Sequence, residues 1–140
     1  MIRGERTSEI ILDQPQKVWE YLYPEIRSDS VEKVWVLCLD RKNKLIRAEA
    51  VTSGTATSSL VHPREVFRPA IRFGATAIIL AHNHPSGDPT PSPADLKVTQ
   101  KICEASKAVD LEMLDHLILG EPENCPNQIG YYSFSEAGLM

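Results

Sequence analysis

The spacing of hydrophobic residues predicts five strands along the chain. Ala75–Ala81 is an almost wholly apolar run, and its length and β-branched residues favour a buried strand over a helix. Val34–Leu39 and Leu45–Val51 are separated by a polar turn and predict a hairpin. Leu111–Leu119 and Tyr131–Phe134 predict two further strands, of which the last is short.

Three other segments repeat their apolar residues every three or four positions, as amphipathic helices do. The first runs from Pro15 to about Arg27, and the second runs from Pro63 to Phe73, where the internal Pro69 predicts a kink or a division. The order α-β-β-α-β-α-β-β predicts an α/β fold in which helices flank a single mixed sheet. The third helix begins at Pro93 and carries the stripe Val98, Ile102, Ala105 and Val109.

The length of the chain fits one folded domain. With 140 residues, of which 42% are hydrophobic, it can bury a core of ordinary size. We divide it into an N-terminal extension with the first helix, residues 1–30, and a main domain, residues 31–140, which together form one globular unit. Residues 52–59 are rich in Ser, Thr and Gly and predict a loop.

Composition and charge exclude several classes of function. No apolar run approaches the roughly 20 residues that span a membrane, and the polar N-terminus lacks the apolar segment of a signal peptide. We therefore expect a cytoplasmic protein without membrane contact. The cysteines Cys38, Cys103 and Cys125 are widely spaced and predict no disulfide framework. A net charge of −4 gives no electrostatic support for strong binding to nucleic acid.

Two histidines leave the end of the predicted buried strand Ala75–Ala81. Residues two apart in an extended chain point to the same side, so His82 and His84 can share one target. Asp95 lies three residues before Val98 and falls on the inward face of the next helix, where a carboxylate needs a partner or a metal. Three nitrogen and oxygen ligands are what a catalytic zinc site uses, with the fourth position open for water.

Each half of this pattern also has an ordinary structural explanation. His-x-His occurs often without binding a metal, and Ser92 followed three residues later by Asp95 is also the pattern of a capping box at a helix start. The combination of the two halves favours a metal, and we expect one Zn²⁺ per chain on His82, His84 and Asp95.

The stretch from His82 to Asp95 resembles the JAMM (JAB/MPN) metalloprotease motif. Its longer text, His-Asn-His-Pro-Ser-Gly-Asp-Pro-Thr-Pro-Ser-x-x-Asp, resembles the RadC branch of that family, and Val61–Val66 and Leu114–Leu117 match the same branch. The resemblance extends from about Trp35 to the C-terminus. It implies the JAB/MPN architecture, which is cytidine-deaminase-like. RadC-like proteins usually carry an N-terminal helical domain, and we expect this chain to lack it.

The resemblance also implies a set of catalytic residues. Glu32 matches the glutamate that precedes the first core strand in the JAMM family and takes the proton of the attacking water. Glu49 and Glu65 are its rivals. Ser92 corresponds to the family serine that helps to hold the developing oxyanion, although the helix cap competes for the same hydroxyl.

Two further polar residues interrupt apolar segments. Asn83 stands where many JAMM proteases have Ser or Thr between the histidines, which argues against eukaryotic-type deubiquitination rather than against a metal. His116 lies in the predicted strand Leu111–Leu119, either as a satisfied core histidine or as a residue that supports the metal ligands.

These observations lead to two functions of different class. The first is a zinc-dependent hydrolase of peptide or isopeptide bonds, acting on a peptide or a protein conjugate. The alternative is a non-catalytic, metal-containing binding module associated with DNA repair. Arg64, Arg68 and Arg72 recur every fourth residue and form a row that is either a solvated helix face or a docking surface. The sequence leaves the oligomeric state open.

Overall fold

A computed structural model describes residues 9–27, 30–53 and 61–140 of the chain. It shows the predicted α/β fold, with a five-stranded mixed sheet and three α-helices in the predicted order. A 3-10 turn precedes the last strand. The bounds are α1 Pro15–Ile26, β1 Lys33–Leu39, β2 Leu45–Ser53, α2 Pro63–Arg72, β3 Ala77–Asn83, α3 Pro93–Ala108, β4 Glu112–Leu119, the 3-10 turn Pro122–Asn124, and β5 Tyr131–Ser133.

The strands are ordered β2-β1-β3-β4-β5, so β3 lies at the centre of the sheet. β1 pairs antiparallel with both β2 and β3, whereas β3 and β4 run parallel and β5 returns antiparallel to β4. The parallel pair needs a crossover connection, which α3 supplies. All seven residues of β3 are buried, in keeping with its nearly continuous apolar sequence.

Helices cover both faces of this sheet. α2 and α3 pack on one face against Ile78 and Leu80, and α1 packs on the other face against Ile79 and Ala81. The alternation follows from the two-residue period of a strand. Because His82 continues the even-numbered set, its side chain faces α3.

Two prolines lie inside helices without interrupting them, so the predicted division of the second helix at Pro69 is wrong. α2 is one element, in which Pro69 is buried and its carbonyl accepts the Phe73 amide at 2.9 Å. Pro69 lacks an amide to donate, and burial of its ring in the core offsets the lost hydrogen bond. α1 likewise continues through Pro24 to Ile26.

Some sequence-based predictions concern the edges of the described ranges. β2 extends to Ser53, so the predicted loop at 52–59 begins inside a strand, and residues 54–59 lie outside the described residues. The domain boundary near residue 30 falls beside residues 28–29, which are also not described, and it stays a prediction. Among the described residues, no helix is both long enough and apolar enough to cross a bilayer.

The loops that follow β3 and β4 are joined backbone to backbone. The His84 amide donates to the Leu119 carbonyl at 2.9 Å, and the Glu121 amide donates to the Gly87 carbonyl at 2.7 Å. A Cβ at Gly120 would lie only 2.2 Å from the Gly87 oxygen, so the crossing requires glycine at position 120. The loop that carries His84 is thereby fixed to the end of β4.

Candidate metal centre

The two histidines of the predicted motif meet at the end of the central strand. His82 belongs to β3 and is 3% exposed, whereas His84 follows the strand and is only partly buried. Their Nε2 atoms lie 3.3 Å apart. The structure therefore brings both side chains to one point, as the two-residue period of a strand requires.

Asp95 reaches both histidines from the first turn of α3. Its Oδ1 lies 3.0 Å from Nε2 of His82, and its Oδ2 lies 3.3 Å from Nε2 of His84. A capping box holds the carboxylate in place: the Asp95 amide donates to the Ser92 hydroxyl at 3.1 Å, and the Ser92 amide donates to Asp95 Oδ2 at 2.8 Å. The cap and the histidine contacts thus occur together.

A chain of hydrogen bonds behind His82 fixes its tautomer. The Thr99 hydroxyl donates its one proton to the Asp95 carbonyl at 3.0 Å, so it accepts from Nδ1 of His116. Complete burial, followed by the nearby charge of His82, holds the pKa of His116 well below its usual value, so this ring is neutral. Nε2 of His116 therefore accepts from Nδ1 of His82 at 2.9 Å.

The ring of His84 is fixed in the same sense by the loop. Its Nδ1 lies 2.9 Å from the carbonyl oxygen of Asp88, and a carbonyl can only accept, so Nδ1 carries the proton. The Asp88 carboxylate is turned elsewhere, towards the amide and hydroxyl of Thr90 at 3.0 and 2.7 Å. Each ring, when neutral, consequently presents a bare Nε2 lone pair to the Asp95 carboxylate.

Acceptor atoms of three side chains therefore converge: Asp95 Oδ1 lies 3.0 Å from His82 Nε2, Asp95 Oδ2 lies 3.3 Å from His84 Nε2, and the two Nε2 atoms are 3.3 Å apart. Such atoms repel one another unless a positive charge lies between them, either a proton or a metal ion. A tetrahedral ion with bonds of about 2.0–2.1 Å would separate its ligand atoms by about 3.3 Å. The donor set and its dimensions therefore fit a divalent metal ion.

The charges of these side chains also favour a bound cation. Burial by itself would raise the pKa of Asp95, but a proton on Nε2 of His82 or His84, donated to the carboxylate, outweighs burial and holds that pKa well below its usual range. Burial lowers the pKa of His84, and its hydrogen bonds with Asp95 and with the Asp88 carbonyl reverse this and raise it. The carboxylate is ionised at neutral pH, and the site attracts a cation.

Glu32 lies one residue before β1 and supplies a second carboxylate. Its Oε2 is 4.0 Å from Nε2 of His82, and Glu32, His82 and His84 form a group whose ligand atoms all lie within 4.8 Å of one another. Such a group can hold a metal ion. Asp95 lies outside that group of three, but its oxygens, at 3.0 and 3.3 Å, are nearer to His82 and His84 than Glu32 is to His82.

The rival glutamates lie away from the histidines. Glu49 on β2 pairs with Arg47 at 3.5 Å, and Glu65 on α2 pairs with Arg68 at 3.0 Å. Both line a cavity of about 270 Å³ whose walls include neither His82 nor His84. The geometry therefore favours Glu32 as the carboxylate that serves the site.

Comparison with known proteins identifies the family of the chain. A family model described as "RadC-like JAB domain" matches residues 12–139. The chain belongs to this family. A UPF0758 protein from Symbiobacterium thermophilum is 49% identical across 92% of this chain and 52% of its own length. One from Methanosarcina barkeri is 45% identical across 76% of this chain and 47% of its own. The chain spans about half the length of the curated relatives it matches.

Ser92 of this RadC-like JAB domain is exposed at the helix start. Its hydroxyl oxygen accepts the Asp95 amide, and that bond uses a lone pair rather than the hydroxyl proton. The two predicted uses of Ser92 therefore do not exclude each other, because the proton can still be donated to a bound molecule.

Two residues near the centre of the RadC-like JAB domain escaped the sequence-based prediction. Thr99 joins His116 to the Asp95 backbone, and its signal was its place one turn after Asp95 on the same helix face. Asn83 was noted only as a departure from the JAMM pattern, although a carboxamide in an apolar strand needs hydrogen-bonding partners. The structure supplies those partners from the segment around Glu32.

Proposed function

We propose that this RadC-like JAB domain is a zinc-dependent hydrolase of peptide or isopeptide bonds. The convergence of acceptor atoms from three side chains, at distances of 3.0–3.3 Å, with a second carboxylate beside them carries the proposal. His82, His84 and Asp95 would hold the ion. Two imidazoles and one carboxylate are a ligand set of catalytic zinc sites, in which a fourth position stays open.

The chemistry is divided between the ion and the residues around it. When bound, zinc supplies Lewis acidity, which makes water more acidic and draws electron density from a carbonyl oxygen. Glu32 accepts the proton of the attacking water as the new C–O bond forms, and passes it to the leaving nitrogen as the C–N bond breaks. The Ser92 hydroxyl donates a hydrogen bond to the developing oxyanion.

The cysteines support a reducing compartment for this activity, and we place the protein in the cytoplasm. All three cysteines are described, and all are free thiols. Burial, with the nearby Glu49 carboxylate, raises the pKa of Cys38 to about 11, so this thiol stays protonated and unreactive. Unpaired, buried cysteines are usual in proteins that are not exposed to oxidation.

The first prediction tests metal and catalysis together. The purified protein should contain close to one zinc per chain, and His82→Ala with His84→Ala should remove it. Glu32→Gln keeps the shape but cannot take a proton, so it should retain zinc while lowering hydrolysis about 10²–10⁴-fold. Zinc is measured by elemental analysis, and hydrolysis with quenched fluorescent peptides and a lysine-ε-linked isopeptide.

Glu49→Gln is the matched control, because Glu49 pairs with Arg47 on β2, away from the histidines. It should change neither zinc content nor turnover. Full zinc retention in the double histidine variant would contradict the metal assignment. Turnover unchanged by Glu32→Gln would contradict the role of Glu32, and zinc without hydrolysis of any substrate would favour a binding module.

One surface feature favours that alternative, a metal-containing binding module associated with DNA repair. A groove of about 610 Å³ between α2 and α3 is lined by apolar side chains, and Ile71 within it is 64% exposed. Arg64, Arg68 and Arg72 line the same groove. A module of this kind would bind its partner there and would lose no function through Glu32→Gln.

A further inference from the structure

Asn83 lies between the two histidines but on the opposite side of the strand. It is 2% exposed, and both ends of its carboxamide are used. Its Oδ1 accepts the Lys33 amide at 2.7 Å, and its Nδ2 donates to the Val31 carbonyl at 3.1 Å. These two peptide groups flank Glu32, so one side chain holds the backbone on both sides of that residue.

These two hydrogen bonds of Asn83, which we call the clamp, lie where the pairing of β1 with β3 ends. The antiparallel ladder between β1 and β3 has Val34 opposite His82 as its terminal pair. One residue further, the Asn83 side chain supplies hydrogen bonds to the neighbouring segment. Glu32 therefore lies outside the ladder, and the carboxamide provides it with a fixed backbone.

We propose that Asn83 is a positioning residue for Glu32, which it keeps beside the metal ligands. The inference rests on the proposed function and adds a reason for an amide at this place. Position 83 needs an acceptor for the Lys33 amide and a donor for the Val31 carbonyl. A carboxamide has both, a carboxylate lacks the donor, and one hydroxyl of Ser or Thr is too short to span the two groups.

The clamp can be tested first in the metal-free protein by hydrogen exchange. Asn83→Ala should speed exchange of the Lys33 amide about tenfold or more, since that amide loses its acceptor. Asn83→Asp keeps the acceptor and should leave Lys33 within about threefold of the wild-type rate. Asn83→Ser, whose hydroxyl is too short to bond both peptide groups, is the test protein should Asn83→Ala fail to fold, and the same increase is expected. Ile78→Ala, a buried change on the same strand, controls for general loss of stability.

The effect on Glu32 is tested by a double-mutant cycle on zinc affinity. Asn83→Ala should weaken zinc binding about tenfold, because it displaces the negative charge of Glu32 beside the ion while the three ligands stay in place. In the Glu32→Gln background the same change should cost less than about twofold, because the clamp acts only through the carboxylate. Ile78→Ala should leave zinc affinity unchanged in both backgrounds.

The two measurements separate the possible failures. Wild-type exchange at Lys33 in Asn83→Ala would overturn the clamp. Equal loss of zinc affinity with and without Glu32→Gln would overturn the positioning role and leave the proposed function intact. A wild-type protein that bound no zinc would contradict the proposed function, and the exchange rates would then decide the clamp by themselves.

Discussion

At the scale of single residues, His116 and Thr99 determine which nitrogen of His82 faces the metal centre. The chain of hydrogen bonds runs in one direction, from His82 through His116 and Thr99 to the Asp95 backbone. It begins and ends at two of the three proposed ligands. Changing a residue that holds a ligand in this way typically lowers metal affinity by about 10–100-fold.

The second prediction concerns Thr99→Val, which keeps the shape of the side chain and removes its hydroxyl. His116 then loses its acceptor and the Asp95 carbonyl loses its donor, so the orientation of His82 is no longer fixed. Zinc affinity should fall about 10–100-fold, as measured by competition with a chelating dye. Thr99→Ser, which restores the hydroxyl, should recover most of it.

Ser106→Ala is the control for the loss of a hydroxyl from the same helix. Ser106 is also largely buried in α3, and its hydroxyl donates to the Cys103 carbonyl at 2.6 Å. Its loss should leave zinc affinity unchanged. Equal zinc affinities in Thr99→Val and the wild type would show that zinc binding by His82 does not depend on these hydrogen bonds.

The third prediction uses Asp115, a buried carboxylate on β4. Burial raises its pKa, and hydrogen bonds from the Ser133 hydroxyl and from the Ser135 and His116 amides offset this only in part. The unfolded chain therefore releases this proton at lower pH than the folded protein does. Between the two pKa values the unfolded state binds fewer protons, and the contribution of Asp115 to stability falls as pH rises.

Asp115→Asn removes this titration and keeps the size of the side chain. The free energy of unfolding of the variant, relative to the wild type, should therefore increase as pH rises from about 3 to 6. Urea unfolding at several pH values measures the difference. A flat or falling difference would mean that the folded protein does not raise the pKa of Asp115.

At the scale of the elements, the start of α3 has two roles, since its capping box also orients a proposed ligand. The fourth prediction is that Ser92→Ala lowers the free energy of unfolding by about 1 kcal/mol, the usual value of a cap. Zinc should remain bound, because the Ser92 amide still donates to Asp95. Ser92→Thr, which retains a hydroxyl, should restore stability in urea unfolding.

Hydrolysis by the same two variants separates the roles of the Ser92 hydroxyl. If it also donates to the oxyanion, turnover falls in Ser92→Ala and is recovered in Ser92→Thr. Full turnover in Ser92→Ala would restrict the hydroxyl to the helix cap.

Local patterns in the sequence were sufficient to predict most of the elements and the meeting of His82, His84 and Asp95. A strand places residues two apart on one side, and a helix stripe identifies the inward position of a carboxylate. The contact between Thr99 and His116 could not be predicted, because it depends on the parallel pairing of β3 with β4. Pro69 was misjudged for a similar reason, since its packing in the core is a tertiary effect.

At the scale of the whole molecule, the net charge of −4 opposes attraction to nucleic acid. The fifth prediction is that duplex DNA binds without sequence preference and more weakly than about 10⁻⁸ M at physiological salt. If DNA contacts the groove between α2 and α3, Arg64→Gln with Arg72→Gln should reduce the slope of log affinity against log salt concentration by up to about two. Fluorescence anisotropy at several salt concentrations measures both quantities.

Arg41→Gln with Lys42→Gln, in the turn between β1 and β2, is the matched control of equal charge. It should leave the salt dependence as in the wild type if contact occurs at the groove. Sequence-specific binding tighter than about 10⁻⁸ M would contradict the prediction and favour the binding module.

The crossing of the two loops at Gly87 and Gly120 has a consequence for redesign of the domain. Because the loops touch through their backbones, neither can be lengthened unless the other moves with it. Insertions beside His84 would therefore displace the proposed metal ligands, even if the inserted residues were too few to contact a substrate. New substrate preferences should be sought by exchanging exposed side chains such as Ser86, with the lengths of both loops kept as they are.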